Sequence, residues 1–170
     1  MAQAEELRDR TDRILRSVGG SREADTLAIF FARSHTIEQV REVILQAGLA
    51  SANALAAAEA SVPEVEAVGG GALVDPICGP ALTLLTENWP ASVDNWKHWH
   101  ENVVEDFTAL DAELAAGDPG AEVDPATFIV AHHFALKAML VARSIENNAA
   151  FGLVQIRQMQ DECPTGFEAV

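Results

Sequence analysis

The most regular apolar pattern in the chain lies in residues 92–114, SVDNWKHWHENVVEDFTALDAEL. Seven side chains recur there at alternating steps of three and four: Val93, Trp96, His100, Val103, Phe107, Leu110 and Leu114. Because an α-helix has 3.6 residues per turn, this spacing puts all of them on one face, which we call the α3 seam. Such a 3-4 pattern is typical of a helix that packs lengthwise against another helix. We therefore predict a long helix over about residues 92–116.

A second long helix is predicted to begin at Asp124-Pro125, because aspartate is a favoured N-cap and proline suits the first helical position. It is expected to run to about residue 159. After Thr127 in its first turn, residues 128–142 have only three polar side chains, those of His132, His133 and Lys137. A helix that is apolar on nearly all sides belongs at the centre of a bundle. The helices over about 92–116 and 125–159 are therefore predicted to pack antiparallel and form the core.

The rest of the chain is also predicted to be helical, with breaks set by capping residues, glycine and proline. A capping-box pattern at Thr36 marks one helix start, Gly48 a helix end, and Ser61 the start of a further helix. Residues 69–90 are rich in glycine and proline, which predicts an irregular loop. Residues 1–18 are predicted to form a mixed-charge helix that acts as a docking arm. The predicted fold is all-α, a single domain over residues 1–170 with about five or six helices.

Composition and charge restrict the function. The chain has 170 residues, 49% of them hydrophobic, which is enough for one domain with a buried core. It carries 26 acidic against 11 basic residues, a formal net charge of −15. Nucleic acids and membrane surfaces attract cationic proteins, so we expect neither as a partner. The acidic residues are concentrated in residues 42–142, which favours a solubility coat or a cationic protein or small-molecule partner.

The expected compartment is the cytoplasm. The first residues show no basic segment followed by an apolar run, so no secretory signal peptide is expected. Cys78 and Cys163 lie far apart in the sequence, and two isolated cysteines are more typical of reduced thiols than of a disulfide.

Histidine and carboxylate side chains at helical spacing suggest a metal site. His98 and Glu101 are three residues apart, the spacing that di-metal helical bundles use. Both fall on the face opposite the α3 seam, however, so a solvated ion pair is the favoured interpretation. For His35 and Glu38 a local ion pair is favoured as well.

Three other histidines are candidate interior ligands. His100 lies on the α3 seam, while His132 and His133 lie on the second long helix. The last two point about 100° apart, so only one of them can face the seam. An imidazole pair in the bundle interior can ligate a metal or act as general acid and base, whereas a hydrogen-bonded core histidine is the alternative. We assign His100, His132 and His133 as candidate catalytic and metal-binding residues.

Four further residues complete the candidate site. Arg143 and Glu146, at i,i+3 spacing, form either a structural ion pair or an anchor for a small carboxylate or phosphate. Glu146 is a candidate catalytic residue and Arg143 a candidate cofactor-binding residue. Trp96 and Cys78 are further candidate cofactor contacts, although Trp96 also suits a core position and the Cys78 thiol needs a nearby base to be reactive. The sequence identifies no cofactor.

Two classes of function remain open. The α3 seam, the docking arm and the lack of a catalytic motif favour a helical interaction or assembly protein that forms homo-oligomers. The alternative is a small-molecule- or metal-binding enzyme with a pocket between helices. That pocket would use the side chains of His100, His132, His133, Arg143 and Glu146.

Overall fold

The computed structural model describes residues 34–69 and 78–162, and these form four α-helices. The helices are α1 (Ile37–Ala60), α2 (Val62–Gly69), α3 (Cys78–Ala115) and α4 (Pro125–Glu162). The all-α prediction is confirmed, since the described residues hold no strand beyond one isolated bridge between Thr36 and Glu122. Five or six helices are not supported by these residues. The predicted docking arm, residues 1–18, lies outside them.

The helix count is lower because two predicted breaks are absent. α1 continues through Gly48, and α3 begins at Cys78 and passes through Pro90. The irregular loop predicted for residues 69–90 was therefore wrong for residues 78–90. Proline inside a helix costs about 3 kcal/mol. This cost is offset by burial, because the α3 seam extends backward at the same 3-4 spacing through buried Trp89, Thr86 and Leu82.

Capping residues start α1 and α4 as predicted. The Thr36 hydroxyl accepts a hydrogen bond from the Gln39 backbone N–H, and the Gln39 side chain accepts one from the Thr36 N–H. Asp124 accepts hydrogen bonds from the backbone N–H groups of Ala126 and Thr127. Each cap satisfies backbone donors that have no partner within the first turn.

α2 starts after Ser61 as predicted, but the serine has a different task. Its hydroxyl donates to the carbonyl oxygen of Ala58 at 2.6 Å and accepts from the Trp89 indole N–H at 2.9 Å. The side chain of Ser61 thus ties the α1–α2 junction to α3.

The chain divides into two compact units. Unit 1 comprises residues up to Ala50 and Asn102–Val141, and unit 2 comprises Ser51–Glu101 and residues from Ala142 onward. The helices α1, α3 and α4 each contribute one segment to each unit. In unit 1 the buried core consists of Val40, Ile44, Ala47, Val103, Leu110, Leu114, Ala131, Phe134, Ala135 and Ala138.

Unit 1 shows the antiparallel packing of α3 and α4 that the sequence predicted. The Phe107 and Phe134 rings lie 6.0 Å apart, and Lys137 Nζ lies 2.6 Å from Asp106 Oδ2. Both contacts join positions at similar distances from the connector 116–124, as in a helical hairpin. α1 is antiparallel to α3 as well, because Arg41 binds Asp111 while Gly48 approaches Phe107.

The Arg41–Asp111 ion pair gives a pH-dependent prediction. Arg41 donates to both carboxylate oxygens at 2.7 and 3.1 Å, and these hydrogen bonds lower the pKa of Asp111. A carboxylate with a lowered folded-state pKa stabilises the fold above its unfolded pKa of about 3.9 and loses this contribution as pH falls through the folded value. We expect Asp111→Asn to be less stable than wild type in urea at neutral pH, with the difference vanishing in acid. A difference that persists unchanged at low pH would contradict this role.

The burial of its side chains, taken in each unit separately, confirms the α3 seam. Val93 and Trp96 are buried and His100 is half-buried, while in unit 1 Val103, Leu110 and Leu114 are buried and Phe107 is half-buried. The pattern that the sequence showed is therefore the inner face of α3.

Two stretches, Ile37–Val68 and Pro125–Asp161, are long and apolar enough to cross a membrane by length and composition. Their most apolar windows are 33% and 39% buried. This is weak evidence for a membrane span, because the core helices of soluble proteins share these properties. The cytoplasmic location therefore stays a prediction.

Candidate functional site

One polar contact inside unit 2 joins Ser51 of α1 to His100 of α3. Ser51 Oγ lies 2.9 Å from His100 Nδ1. A hydroxyl hydrogen-bonded to an imidazole is the arrangement that activates a nucleophilic serine. Ser51 is completely buried, at 0% exposure, so a substrate carbonyl has no approach to its hydroxyl. The contact is therefore best explained as a hydrogen bond that satisfies two polar groups on packed helices.

This structural role predicts a modest stability effect. His100→Leu removes the Ser51–His100 hydrogen bond, and we expect a loss of about 1 kcal/mol in the free energy of unfolding. The double variant Ser51→Ala/His100→Leu should recover part of that loss, since both polar partners are then replaced by apolar groups. Urea unfolding of the two single variants and the double variant measures this coupling. Strictly additive losses would show that the hydrogen bond contributes nothing.

The other two candidate histidines lie in unit 1. His132 is buried at 8% exposure, whereas His133 is exposed. Their different environments follow from the 100° between neighbouring helix positions. Among the described residues no group of three or more histidine, cysteine, aspartate or glutamate side chains is arranged to hold a metal ion. The pairing of His100 with either histidine, and metal binding by the three, stay predictions without support here.

Arg143 and Glu146 form an ion pair on α4, with Arg143 Nη1 3.3 Å from Glu146 Oε2. Both side chains are about half exposed, at 51% and 53%. A solvated i,i+3 pair of this kind contributes little to stability. The pair is open to solvent on the surface of unit 2. The roles of Arg143 in cofactor binding and of Glu146 in catalysis stay predictions.

Trp96 occupies a core position. It is buried and meets the Trp89 ring edge-to-face, with ring centroids 5.6 Å apart. Its predicted contact with a cofactor stays untested. Cys78 is the first residue of α3, but its side chain lies outside the described part of the structure, as does Cys163.

The exposed pair His98–Glu101 confirms the solvated-face interpretation. His98 Nδ1 lies 2.8 Å from Glu101 Oε2, and both side chains are exposed. His35 instead contacts the Gln39 side chain at 3.3 Å, one turn along α1.

A cluster that the candidate site omitted centres on Trp89. Its indole is buried, donates to Ser61, and leaves no room for a side chain at Gly152 of α4, where a Cβ would lie 2.4 Å from Trp89 Cζ3. Glycine inside a helix costs about 1 kcal/mol against alanine, and at Gly152 it leaves the space that the Trp89 ring occupies in a close helix crossing. The sequence does not predict Trp89 as the partner at that crossing, because glycine and proline indicate a loop for residues 69–90.

Large apolar side chains are also exposed on α4. Phe151 is 66% and Val154 59% exposed in unit 2, and Val130 is 53% exposed in unit 1. Scattered exposed apolar residues are ordinary, but Phe151 and Val154 are three residues apart on one helix and share a face.

Comparisons of the chain with protein-family models, curated proteins and solved structures found no significant match.

Proposed function

We propose that the protein is a helical interaction module that assembles into homo-oligomers. The observation that carries this proposal is the exposure of Phe151 and Val154 on one face of α4 in unit 2. Large apolar side chains that share an exposed face mark contact surfaces, since burying each one gains about 1.5–3 kcal/mol.

The polar groups inside unit 2 support an assembly role over a catalytic one. In unit 2 the Ser51 hydroxyl contacts His100, and the Trp89 indole contacts Ser61. Groups that are hydrogen-bonded to each other and buried stabilise a fold, whereas catalytic groups face a cavity that admits substrate. The Ser51–His100 contact is the observation that favours the enzyme alternative. The burial of Ser51 opposes that alternative.

The distribution of charge along the sequence supports two further proposals. Residues 1–18 hold four acidic residues and four arginines. We propose that this neutral segment is a helical docking arm. The acidic surface is proposed as a solubility coat in the cytoplasm, with a cationic protein or small molecule as the alternative partner.

Solution mass and metal content test this function together. Multi-angle light scattering of the purified protein is expected to give a mass above 18.2 kDa, with no stoichiometric metal by elemental analysis. The His100→Ala variant is expected to keep the oligomeric mass. A monomer that holds one metal ion per chain, lost in His100→Ala, would overturn the proposal in favour of the enzyme alternative.

A further inference from the structure

The second half of α4 carries a 3-4 pattern on its exposed face as well as on its buried face. The buried face in unit 2 is formed by Ala142, Ile145, Ala149 and Ile156. On the opposite face, exposed side chains recur at steps of four and three: Arg143, Asn147, Ala150, Val154, Arg157 and Asp161. We call these six residues the outer seam. Exposed Phe151 lies beside it. The centre of the outer seam is apolar, with Ala150 and Val154 on the row and Phe151 next to it, and an apolar row at 3-4 spacing is the surface with which one helix packs along another.

We propose that the outer seam binds the outer seam of a second copy of the chain, as an antiparallel helix pair around a twofold axis. This inference rests on the proposed function, because it names the surface and the partner of the assembly.

Charge favours a second copy at this surface. Two chains of formal charge −15 repel each other, with a screening length of about 8 Å at physiological salt. Within residues 143–161 of α4 the charges balance, because the range holds two arginines, Arg143 and Arg157, and two acidic residues, Glu146 and Asp161. Between them, from Asn147 to Ile156, α4 has no charged residue. Two copies can therefore approach along this surface without bringing a local excess of carboxylates together.

Charge also selects the antiparallel direction. In an antiparallel pair, aligning Val154 with the partner's Ala150 places Arg143 opposite the partner's Asp161 and Asn147 opposite the partner's Arg157. The same alignment brings Phe151 near the partner's Phe151. In a parallel pair, Arg143, Arg157 and Asp161 would each lie opposite the same residue of the partner, and like charges directly opposite are unfavourable.

The size of the seam sets the expected strength. Residues 143–161 span about 27 Å of helix, a short contact for a protein interface. Every residue counts twice in a twofold contact. The association is therefore expected to be reversible and sensitive to a single substitution.

Two valines on α4 with similar exposure provide a matched test. Val154→Ser lies on the outer seam, whereas Val130→Ser removes an exposed valine of unit 1 that lies off it. By sedimentation, Val154→Ser is expected to raise the dimer dissociation constant about tenfold or more, while Val130→Ser leaves it unchanged. If the wild type is oligomeric and Val154→Ser has no effect, this inference fails and the proposed function stands. If the wild type is monomeric, both fail.

Cysteine pairing tests the direction of the helix pair. Cys78 and Cys163 are first replaced by serine. Two variants of this chain, Ala150→Cys and Val154→Cys, carry tags of different length, so that their disulfide-linked products differ in size. The two variants are then mixed and mildly oxidised. The antiparallel alignment predicts that the mixed Ala150→Cys/Val154→Cys disulfide forms in excess of either self-disulfide. A predominant disulfide between two Val154→Cys chains would show parallel pairing and overturn the proposed geometry.

Discussion

Trp89→Ala is expected to lower the free energy of unfolding by about 3–5 kcal/mol, the usual cost of removing a buried tryptophan. The indole fills the space beside Gly152, meets the Trp96 ring and donates a hydrogen bond to Ser61. Alanine leaves a cavity at this site and removes the donor. Urea unfolding followed by circular dichroism measures the loss, because the helical signal does not depend on the tryptophan itself.

Trp89→Phe separates packing from hydrogen bonding. Phenylalanine keeps an aromatic ring but has no N–H for Ser61, so we expect an intermediate loss. A free energy of unfolding for Trp89→Ala within about 0.5 kcal/mol of the wild-type value would be typical of an exposed position. It would show that Trp89 is not buried between helices.

Gly152→Ala is expected to destabilise the protein by about 1–3 kcal/mol, the usual cost of overpacking a core. Alanine normally favours a helix over glycine by about 1 kcal/mol, so the sign of this effect is diagnostic. The added Cβ would lie 2.4 Å from Trp89 Cζ3. The ring has little freedom to move away, since its N–H is bound to the buried Ser61 hydroxyl.

Gly48→Ala is the matched control for this prediction. Gly48 also lies inside a helix, but among the described residues a Cβ there meets only Phe107 Cδ2, at 3.9 Å, an ordinary contact. We expect Gly48→Ala to be neutral or to gain up to about 1 kcal/mol. In the double variant Trp89→Phe/Gly152→Ala, the smaller ring should relieve part of the clash, so the losses should not add. A Gly152→Ala variant that is as stable as the Gly48→Ala variant would contradict the close crossing.

Much of the helical structure follows from local sequence patterns. The α3 seam was visible as the 3-4 spacing from Val93 to Leu114, and the starts of α1 and α4 were visible in Thr36 and Asp124. These signals are local, because capping and helical periodicity depend on residues within a few turns.

The errors arise where packing overrides local preference. Pro90 and Gly79 indicated a loop, yet the buried side chains of Leu82 and Trp89 keep residues 78–90 helical. Gly48 similarly lies within α1, where the helix interior continues on both sides. Local propensity is a weak signal when a buried face continues through a helix-breaking residue.

The candidate site was less predictable than the fold. The sequence placed His100 on an inner face, but it gave no sign that Ser51 of α1 is the residue it contacts. That pairing depends on how α1 lies against α3, which no local pattern encodes. The sequence does not distinguish the exposed face of α4 as a contact surface, because Arg143 and Glu146 at i,i+3 spacing suit a ligand anchor equally well.

Sedimentation equilibrium of the wild-type protein over a range of concentrations tests the assembly most directly. We predict a mean mass that rises with concentration from 18.2 kDa toward twice that value. A constant mass of 18.2 kDa at every concentration would contradict the account.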